Sequence, residues 1–257
     1  MFKLALKIAL LPVALPLLVI GSSTYAFAED ISVSVSVDAV SEYVFRGVTL
    51  AGTAVQPGVE FSTGGFTLGA WTSLAIGDES IAFGDELDLY AGYSFDLSDT
   101  ISADIGATLY HYPQLGGLFD LGTDTGDAST FEIYAGLGFD APLAPSVTAY
   151  YDLNLKALTL EAGGEYSFPL AEKTSFDVGA TAGAVLVDGG TDYQYGQLSG
   201  AFSYGFTDTT SAYIGINLGL SSEDTFTDTK FDILDPSTID APDNSSVWFG
   251  IGISSGF

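Results

Sequence analysis

The last segment of the chain alternates apolar with small or polar residues and ends on an aromatic residue, Phe257. Val247, Phe249, Ile251 and Ile253 share the parity of Phe257, and the positions between them are mainly small. Period-two alternation describes a β-strand with one apolar face. A final strand that closes on an aromatic residue is typical of bacterial outer-membrane barrels. We therefore expect a membrane barrel whose assembly machinery recognises Phe257.

The amino-terminal segment has the three parts of a secretory signal. Two lysines precede an apolar run over residues 8–20, and Ala-Phe-Ala at 26–28 is a cleavage site of the small-x-small type. We predict a signal peptide over 1–28 and one barrel domain over 29–257. The alternative, an uncleaved membrane helix, is less favoured because the run is short and contains two prolines.

Charge and composition restrict the classes of function. Four basic and 33 acidic residues follow the predicted cleavage site, so the mature chain carries a formal charge of 4 minus 33, or −29. Such a charge excludes binding to the phosphate backbone of nucleic acids. The chain has no cysteine and therefore no disulfide. Its mean hydropathy of +0.34 agrees with apolar residues facing lipid and acidic residues facing water.

Alternating segments recur along the whole chain, with turn residues between them. They predict an all-β protein, a transmembrane antiparallel β-barrel of about 12 strands in an up-and-down meander. The predicted strands are 31–45, 54–63, 66–77, 85–96, 100–111, 129–139, 146–155, 157–168, 174–187, 193–206, 209–220 and 246–257. An even number is expected for a bacterial single-chain barrel.

The connections between these strands differ in length at the two ends of the predicted barrel. The turns at 64–65, 97–99, 140–145, 169–173 and 207–208 are short and fall on one side, which we predict to be periplasmic. The other side receives the segments 46–53, 78–84, 112–128 and 221–245. Aromatic residues of lipid-facing parity lie at the periplasmic strand ends and predict an interfacial girdle: Phe61, Phe66, Phe95, Phe139, Phe168, Phe206 and Phe257.

The opposite parity of each strand is expected to line the lumen, and it is rich in carboxylates. The acidic residues predicted to line the pore are Asp38, Glu60, Glu86, Asp88, Asp104, Glu132, Asp152, Glu161, Glu165 and Asp177, with Arg46 and Lys156 as basic members. Unpaired carboxylates are costly in a dry interior, so we expect a wet lumen that prefers cations. Alternatively, the acids hydrate a narrow barrel, or the segment 221–245 folds inward as a plug.

Several motifs resemble the TorF family of proposed porins. The first is Glu-Tyr-Val-Phe-Arg-Gly-Val-Thr at 42–49, and matches follow in order at 54–58, 65–73, 86–93, 110–113 and 132–136. The resemblance covers the first half of the chain. It implies an outer-membrane β-barrel of porin type and says little about the solute.

Two single residues invite a chemical role. Arg46, the only arginine of the mature chain, could lie in the pore mouth and create a transverse field, but we favour an anchor that pairs with a carboxylate and fixes the first loop. His111 could form a Ser–His catalytic pair, but its parity matches that of Leu109, so an interfacial residue is favoured. The one Gly-x-Ser-x-Gly match, at 252–256, lies within the last predicted strand and not at the strand-to-helix turn of a nucleophile elbow, and we expect neither an enzyme nor a cofactor.

Two predicted loops concentrate acidic residues. Asp120, Asp124 and Asp127 lie in one loop, and Glu223, Asp224, Asp228 and Asp232 in the other. Their spacing does not match a regular calcium loop, so solvated acidic loops are favoured and no metal site is assigned.

Together, these features predict an exported channel in the bacterial outer membrane. Its expected function is passive diffusion of small solutes with a preference for cations, and its expected contacts are membrane lipid and lipopolysaccharide. The alternative is a closed barrel whose long external loops bind a partner, and an outer-membrane enzyme is the least favoured class.

Overall fold

The computed structural model describes residues 31–77, 84–121, 127–227 and 242–257. The predicted signal peptide lies outside these ranges, as do Lys230 and the loop acids Asp124, Asp228 and Asp232. Within the described ranges no helix has both the length and the apolar character needed to cross a membrane.

Twelve antiparallel strands form one closed barrel, and two short strands form a separate sheet. The barrel strands are β1 (Ser32–Val40), β4 (Ala54–Thr63), β5 (Phe66–Ala75), β6 (Glu86–Ser98), β7 (Ile101–His111), β8 (Ser129–Phe139), β9 (Ser146–Asp152), β10 (Ala157–Ala171), β11 (Thr174–Val187), β12 (Tyr193–Gly205), β13 (Thr210–Ser221) and β14 (Ser245–Gly256). The separate pair is β2 (Tyr43–Phe45) and β3 (Val48–Ala51). The predicted fold class is confirmed.

The barrel closes where the first strand meets the last. β1 pairs with β14 from Ser34↔Gly256 to Val40↔Gly250, and on its other side it pairs with β4. Each of the twelve strands therefore has a paired neighbour on both sides, and the barrel has no edge strand. Apolar side chains of one parity cover the outside; Ile214, for example, is 61% exposed.

The two ends of the barrel differ, as the connection lengths predict. At one end, here called the short-turn end, β4 and β5 are joined by Gly64 and Gly65, both with positive φ. The turns between β6 and β7, β8 and β9, β10 and β11, and β12 and β13 lie at the same end. The opposite end, here called the long-loop end, receives the longer segments that follow β1, β5, β7 and β13.

The prediction of one strand over 31–45 followed by a loop over 46–53 is wrong. β1 ends at Val40, and residues 43–51 form the β2–β3 pair, which we call the inner hairpin. Every residue of both short strands is buried. The physical reason is that Tyr-Val-Phe and Val-Thr-Leu-Ala lack the alternation of a wall strand and suit strands buried on both faces.

Candidate pore and the hairpin that crosses it

The inner hairpin turns at Arg46 and Gly47. Phe45 and Val48 are paired, and the two residues between them have φ of 44° and 76°. Positive φ at both central positions is the geometry of a type I′ turn, which matches the twist of a two-stranded hairpin. Arginine in this region of φ is unfavourable by about 1 kcal/mol, so the contacts of its side chain must stabilise the turn.

Those contacts form a buried ion pair. Arg46 Nη1 donates to Glu132 Oε2 at 2.9 Å, and Nη2 donates to Glu132 Oε1 at 3.2 Å. The guanidinium carbon lies 4.0 Å from the ring centroid of Tyr150, and Nη1 lies 3.5 Å from Thr159 Oγ1. Burial alone would lower the pKa of Arg46, but the Glu132 carboxylate outweighs burial and holds this pKa above its ordinary value.

This contact lies on the far wall from the strands that carry the hairpin. The hairpin connects β1 to β4, and counting six strands round the barrel from β1 leads to β9, and from β4 to β10. Tyr150 belongs to β9 and Thr159 to β10, so Arg46 contacts the directly opposite strands. The inner hairpin therefore crosses the lumen from one wall to the other.

On one side the hairpin packs against β5 and β6. The ring centroids of Tyr43 and Trp71 lie 5.5 Å apart, and Tyr43 Oη donates to Glu86 Oε2 at 3.3 Å. Burial, together with the negative charge of Glu86, raises the pKa of Tyr43 well above its ordinary value. The phenol therefore stays protonated and keeps donating to the carboxylate.

On the other side a segment following β13 is joined to the hairpin. Thr49 N donates to Thr225 O at 3.2 Å, Thr227 N donates to Thr49 Oγ1 at 3.2 Å, and Thr225 Oγ1 donates to Gly47 O. Phe226 packs on Trp248 with ring centroids 6.5 Å apart. An inward plug over 221–245 was the alternative to an open lumen; residues 225–227 of that segment are bonded to the inner hairpin, and residues 228–241 lie outside the described ranges.

The two halves of the lumen consequently differ. Near the short-turn end the inward carboxylates are half-buried and take hydrogen bonds from hydroxyls: Ser94 Oγ donates to Asp104 at 2.5 Å, and Ser167 Oγ donates to Asp177 at 2.6 Å. Near the long-loop end the inward acids are fully covered, as at Glu132 with 1% exposure. The lumen is accessible from the short-turn end and filled by the hairpin at the long-loop end.

The structure divides the residues predicted to line the pore into three groups. Six lie on the wall and are half-buried: Asp38, Glu60, Asp104, Glu161, Glu165 and Asp177. Five are buried around the inner hairpin: Arg46, Glu86, Asp88, Glu132 and Asp152. The placement of Lys156 on the lumen wall is wrong, because it lies exposed in the β9–β10 turn with φ of 53°.

The aromatic residues predicted to form the girdle occupy the short-turn end. Phe61, Phe66 and Phe257 are 48%, 62% and 77% exposed on the outside of the barrel. Phe95, Phe139, Phe168 and Phe206 lie near the same end of their strands, and the ring centroids of Tyr166 and Phe168 are 4.6 Å apart. Contact of this band with a membrane interface stays a prediction.

His111 does not lie at an exposed interface, contrary to the expectation from its parity. It is 6% exposed beside the segment that follows β7, and its Nδ1 lies 2.9 Å from Ser129 Oγ and 3.1 Å from Ala128 O. Ser129 has no exposed surface and its hydroxyl donates to Leu118 O. This serine–histidine contact is buried and joins the end of β7 to Leu118 and Ala128.

Comparison with solved structures returns porins. The NanC porin is 13% identical with a TM-score of 0.55, and the match covers 86% of this chain and 98% of that one. The KdgM porin, solved in complex with disordered oligogalacturonate, is 12% identical with a TM-score of 0.52, and the match covers 88% and 99%. These likenesses concern the fold.

Sequence comparison gives a family. A search of curated proteins finds no match. Residues 24–157, just over half of the chain, match a family described as bacterial protein of unknown function, Gcw_chp. The narrower resemblance to the TorF family stays a prediction. The chain is a member of the Gcw_chp family of bacterial proteins, folded as a closed twelve-stranded β-barrel.

Proposed function

We propose that the protein is a porin-type channel of the bacterial outer membrane that passes small solutes and prefers cations. The observation that carries the proposal is the charge of the accessible half of the lumen. Asp104, Glu165 and Asp177 face this space, whereas Lys156 and Lys173 are exposed in turns and Arg46 is committed to Glu132. A wall of carboxylates without facing basic groups attracts cations and repels anions.

The outer-membrane location is part of the same proposal. The exposed apolar face of the strands would contact lipid, the charged long-loop end would meet lipopolysaccharide, and Phe257 would engage the assembly machinery. The predicted signal peptide would direct export. We do not propose oligogalacturonate, the ligand in the KdgM complex, as a solute of this protein. The acidic wall would repel the carboxylates of that ligand.

A second candidate function follows from the inner hairpin. Because it crosses the lumen and contacts strands on opposite walls, the barrel could be closed and serve a structural or partner-binding role through its external segments. The two candidates differ in one observable, namely ion flow through the barrel.

The deciding experiment is a planar-bilayer recording with protein extracted from cells that express the full chain. If the protein is a channel, we expect small discrete current steps under a potassium chloride gradient. The reversal potential should be shifted from zero toward the equilibrium potential of potassium. A silent bilayer, with a folded barrel confirmed by heat-modifiable gel mobility, would support the closed barrel instead.

A further inference from the structure

Glu86 and Asp88 form a carboxylate pair that faces the inner hairpin from β6. They alternate along the strand and so point to the same face of the sheet, and each is only 2% exposed. They lie opposite Ser73 and Trp71 of β5, on the Tyr43 side of the hairpin. The pair is thus a feature of the filled half of the lumen.

The hydrogen bonding of this pair is incomplete. Glu86 Oε2 accepts from Tyr43 Oη, but Glu86 Oε1 and Asp88 Oδ1 have no hydrogen-bond donor, and the two carboxyl groups lie within hydrogen-bonding distance of each other. Burying a carboxylate oxygen without a donor is costly, and two neighbouring carboxylates add mutual repulsion. The two carboxyl groups therefore lie together without a donor for either of these oxygen atoms, an arrangement that a positive charge beside them would stabilise.

No basic side chain of the described residues supplies that charge. Arg46 is held by Glu132 in a two-bond contact, and Lys156 and Lys173 are exposed in turns at strand ends. Tyr110, which lies opposite Asp88 on β7, donates its hydroxyl to Glu132. No basic side chain of the described residues therefore pairs with Glu86 or Asp88.

We propose that Glu86 and Asp88 bind a hard divalent cation of the calcium type between the inner hairpin and β6. Carboxylate oxygens are the ligands such ions take, and a doubly charged ion balances both carboxylates. No set of three or more acidic, histidine or cysteine ligands converges in the described part of the chain, so the remaining ligands would be water, carbonyl or phenol oxygens. Cation binding by this pair does not depend on whether the barrel conducts ions. A role for the site in ion conduction rests on the proposed function.

Calcium binding tests the site directly. Protein in detergent, stripped with a chelator, is dialysed to equilibrium against radioactive calcium, and bound ions per chain are counted. Wild type is expected to bind one ion more than the Glu86→Gln/Asp88→Asn variant. The matched control is Asp140→Asn/Glu172→Gln, which removes the same two kinds of charge from exposed turns at the short-turn end and should bind as wild type does.

Any calcium held by the acidic external loops is common to all three proteins and cancels in the comparison. Equal binding in all three would overturn the site and would favour a proton shared by the two carboxylates. If the double variant does not reach the folded, heat-modifiable form, Asp88→Asn alone replaces it, with an expected loss of about tenfold in affinity for this ion.

Failure of this site and failure of the channel are distinguishable. If wild type conducts potassium and all three proteins bind calcium equally, the channel proposal is supported and the cation site is overturned. If the bilayer shows no current and wild type still binds one calcium ion per chain more than the Glu86→Gln/Asp88→Asn variant, the cation site is supported and the channel proposal is overturned. Where both hold, calcium should reduce the potassium current of wild type more than that of the Glu86→Gln/Asp88→Asn variant, and an equal reduction would remove the site from the ion path.

Discussion

Arg46 and Glu132 hold each other by two parallel hydrogen bonds of 2.9 and 3.2 Å, although 86 residues separate them in sequence. The pair joins the tip of the inner hairpin to β8, and the neighbouring contacts of Arg46 are with β9 and β10. This ion pair therefore holds the tip of the inner hairpin against the wall opposite the strands that carry the hairpin.

Arg46→Ala should remove the ion pair that holds the tip of the inner hairpin. Glu132 would be left buried without its countercharge, which destabilises by about 3–5 kcal/mol unless the hairpin moves out. We expect urea unfolding in lipid to show a loss of this order, or a smaller loss together with a larger single-channel conductance. Lys173→Ala, which removes an exposed lysine at the short-turn end, is the matched control. Unchanged stability and conductance in Arg46→Ala would contradict the role of the pair.

Gly47→Ala should weaken docking of the hairpin through a steric clash. A methyl group there would stand 2.5 Å from Tyr195 Cβ, and φ is 76°. Gly64→Ala provides the control, since Gly64 also has positive φ, of 54°, but has nothing within 4 Å of the added methyl. Both variants incur the backbone cost of about 1 kcal/mol, and Gly47→Ala should lose more in urea unfolding. Equal losses would show that the Tyr195 contact is unimportant.

Asp104→Asn/Asp177→Asn should lower the preference for cations. Both carboxylates are half-buried on the lumen wall near the short-turn end, so their removal reduces the attraction for cations entering there. The reversal potential under a potassium chloride gradient should move toward zero. Asp140→Asn/Asp208→Asn, in exposed turns at the same end, removes the same charge outside the lumen and should leave the potential nearly unchanged. Equal shifts in the two variants would count against selection by the wall.

Titration of Tyr43 should report whether the hairpin is docked. Folding raises the pKa of Tyr43 above the ordinary 10.0, so the protonated phenol stabilises the folded state. This stabilisation is complete below pH 10.0 and is lost as the pH rises above 10.0 and through the raised pKa. Difference absorbance of wild type against Tyr43→Phe should show no ionisation of this phenol at about pH 10 in the folded barrel. Half-ionisation there would mean that the ring is in water.

Much of the fold could be predicted from alternation alone. The strand predicted over 129–139 coincides with Ser129–Phe139, and that over 174–187 with Thr174–Val187, because lipid and lumen impose a strict two-residue period. The alternation also predicted which acids face inward. Where the chain turned into the lumen, no such period applied, and the extension of the first strand to residue 45 was wrong.

The candidate site was predictable only in part. The mainly apolar, non-alternating segments at 43–45 and 48–51, joined by an Arg-Gly turn, were the available signal for a hairpin buried on both faces. Which carboxylate Arg46 would meet depends on the diameter and register of the closed barrel. Those are set by pairings distant in sequence, such as β1 with β14, and no local pattern encodes them.

The most direct test of the central claim compares wild type with a barrel that lacks the inner hairpin. Val40 and Ala54 are paired neighbours on β1 and β4, so an Asn-Gly turn can replace residues 41–53 without opening the sheet. In bilayers under a potassium chloride gradient, we predict a several-fold larger conductance for the shortened barrel, with potassium still preferred. Equal conductance, or a preference for chloride in either protein, would contradict a cation-preferring channel narrowed by this hairpin.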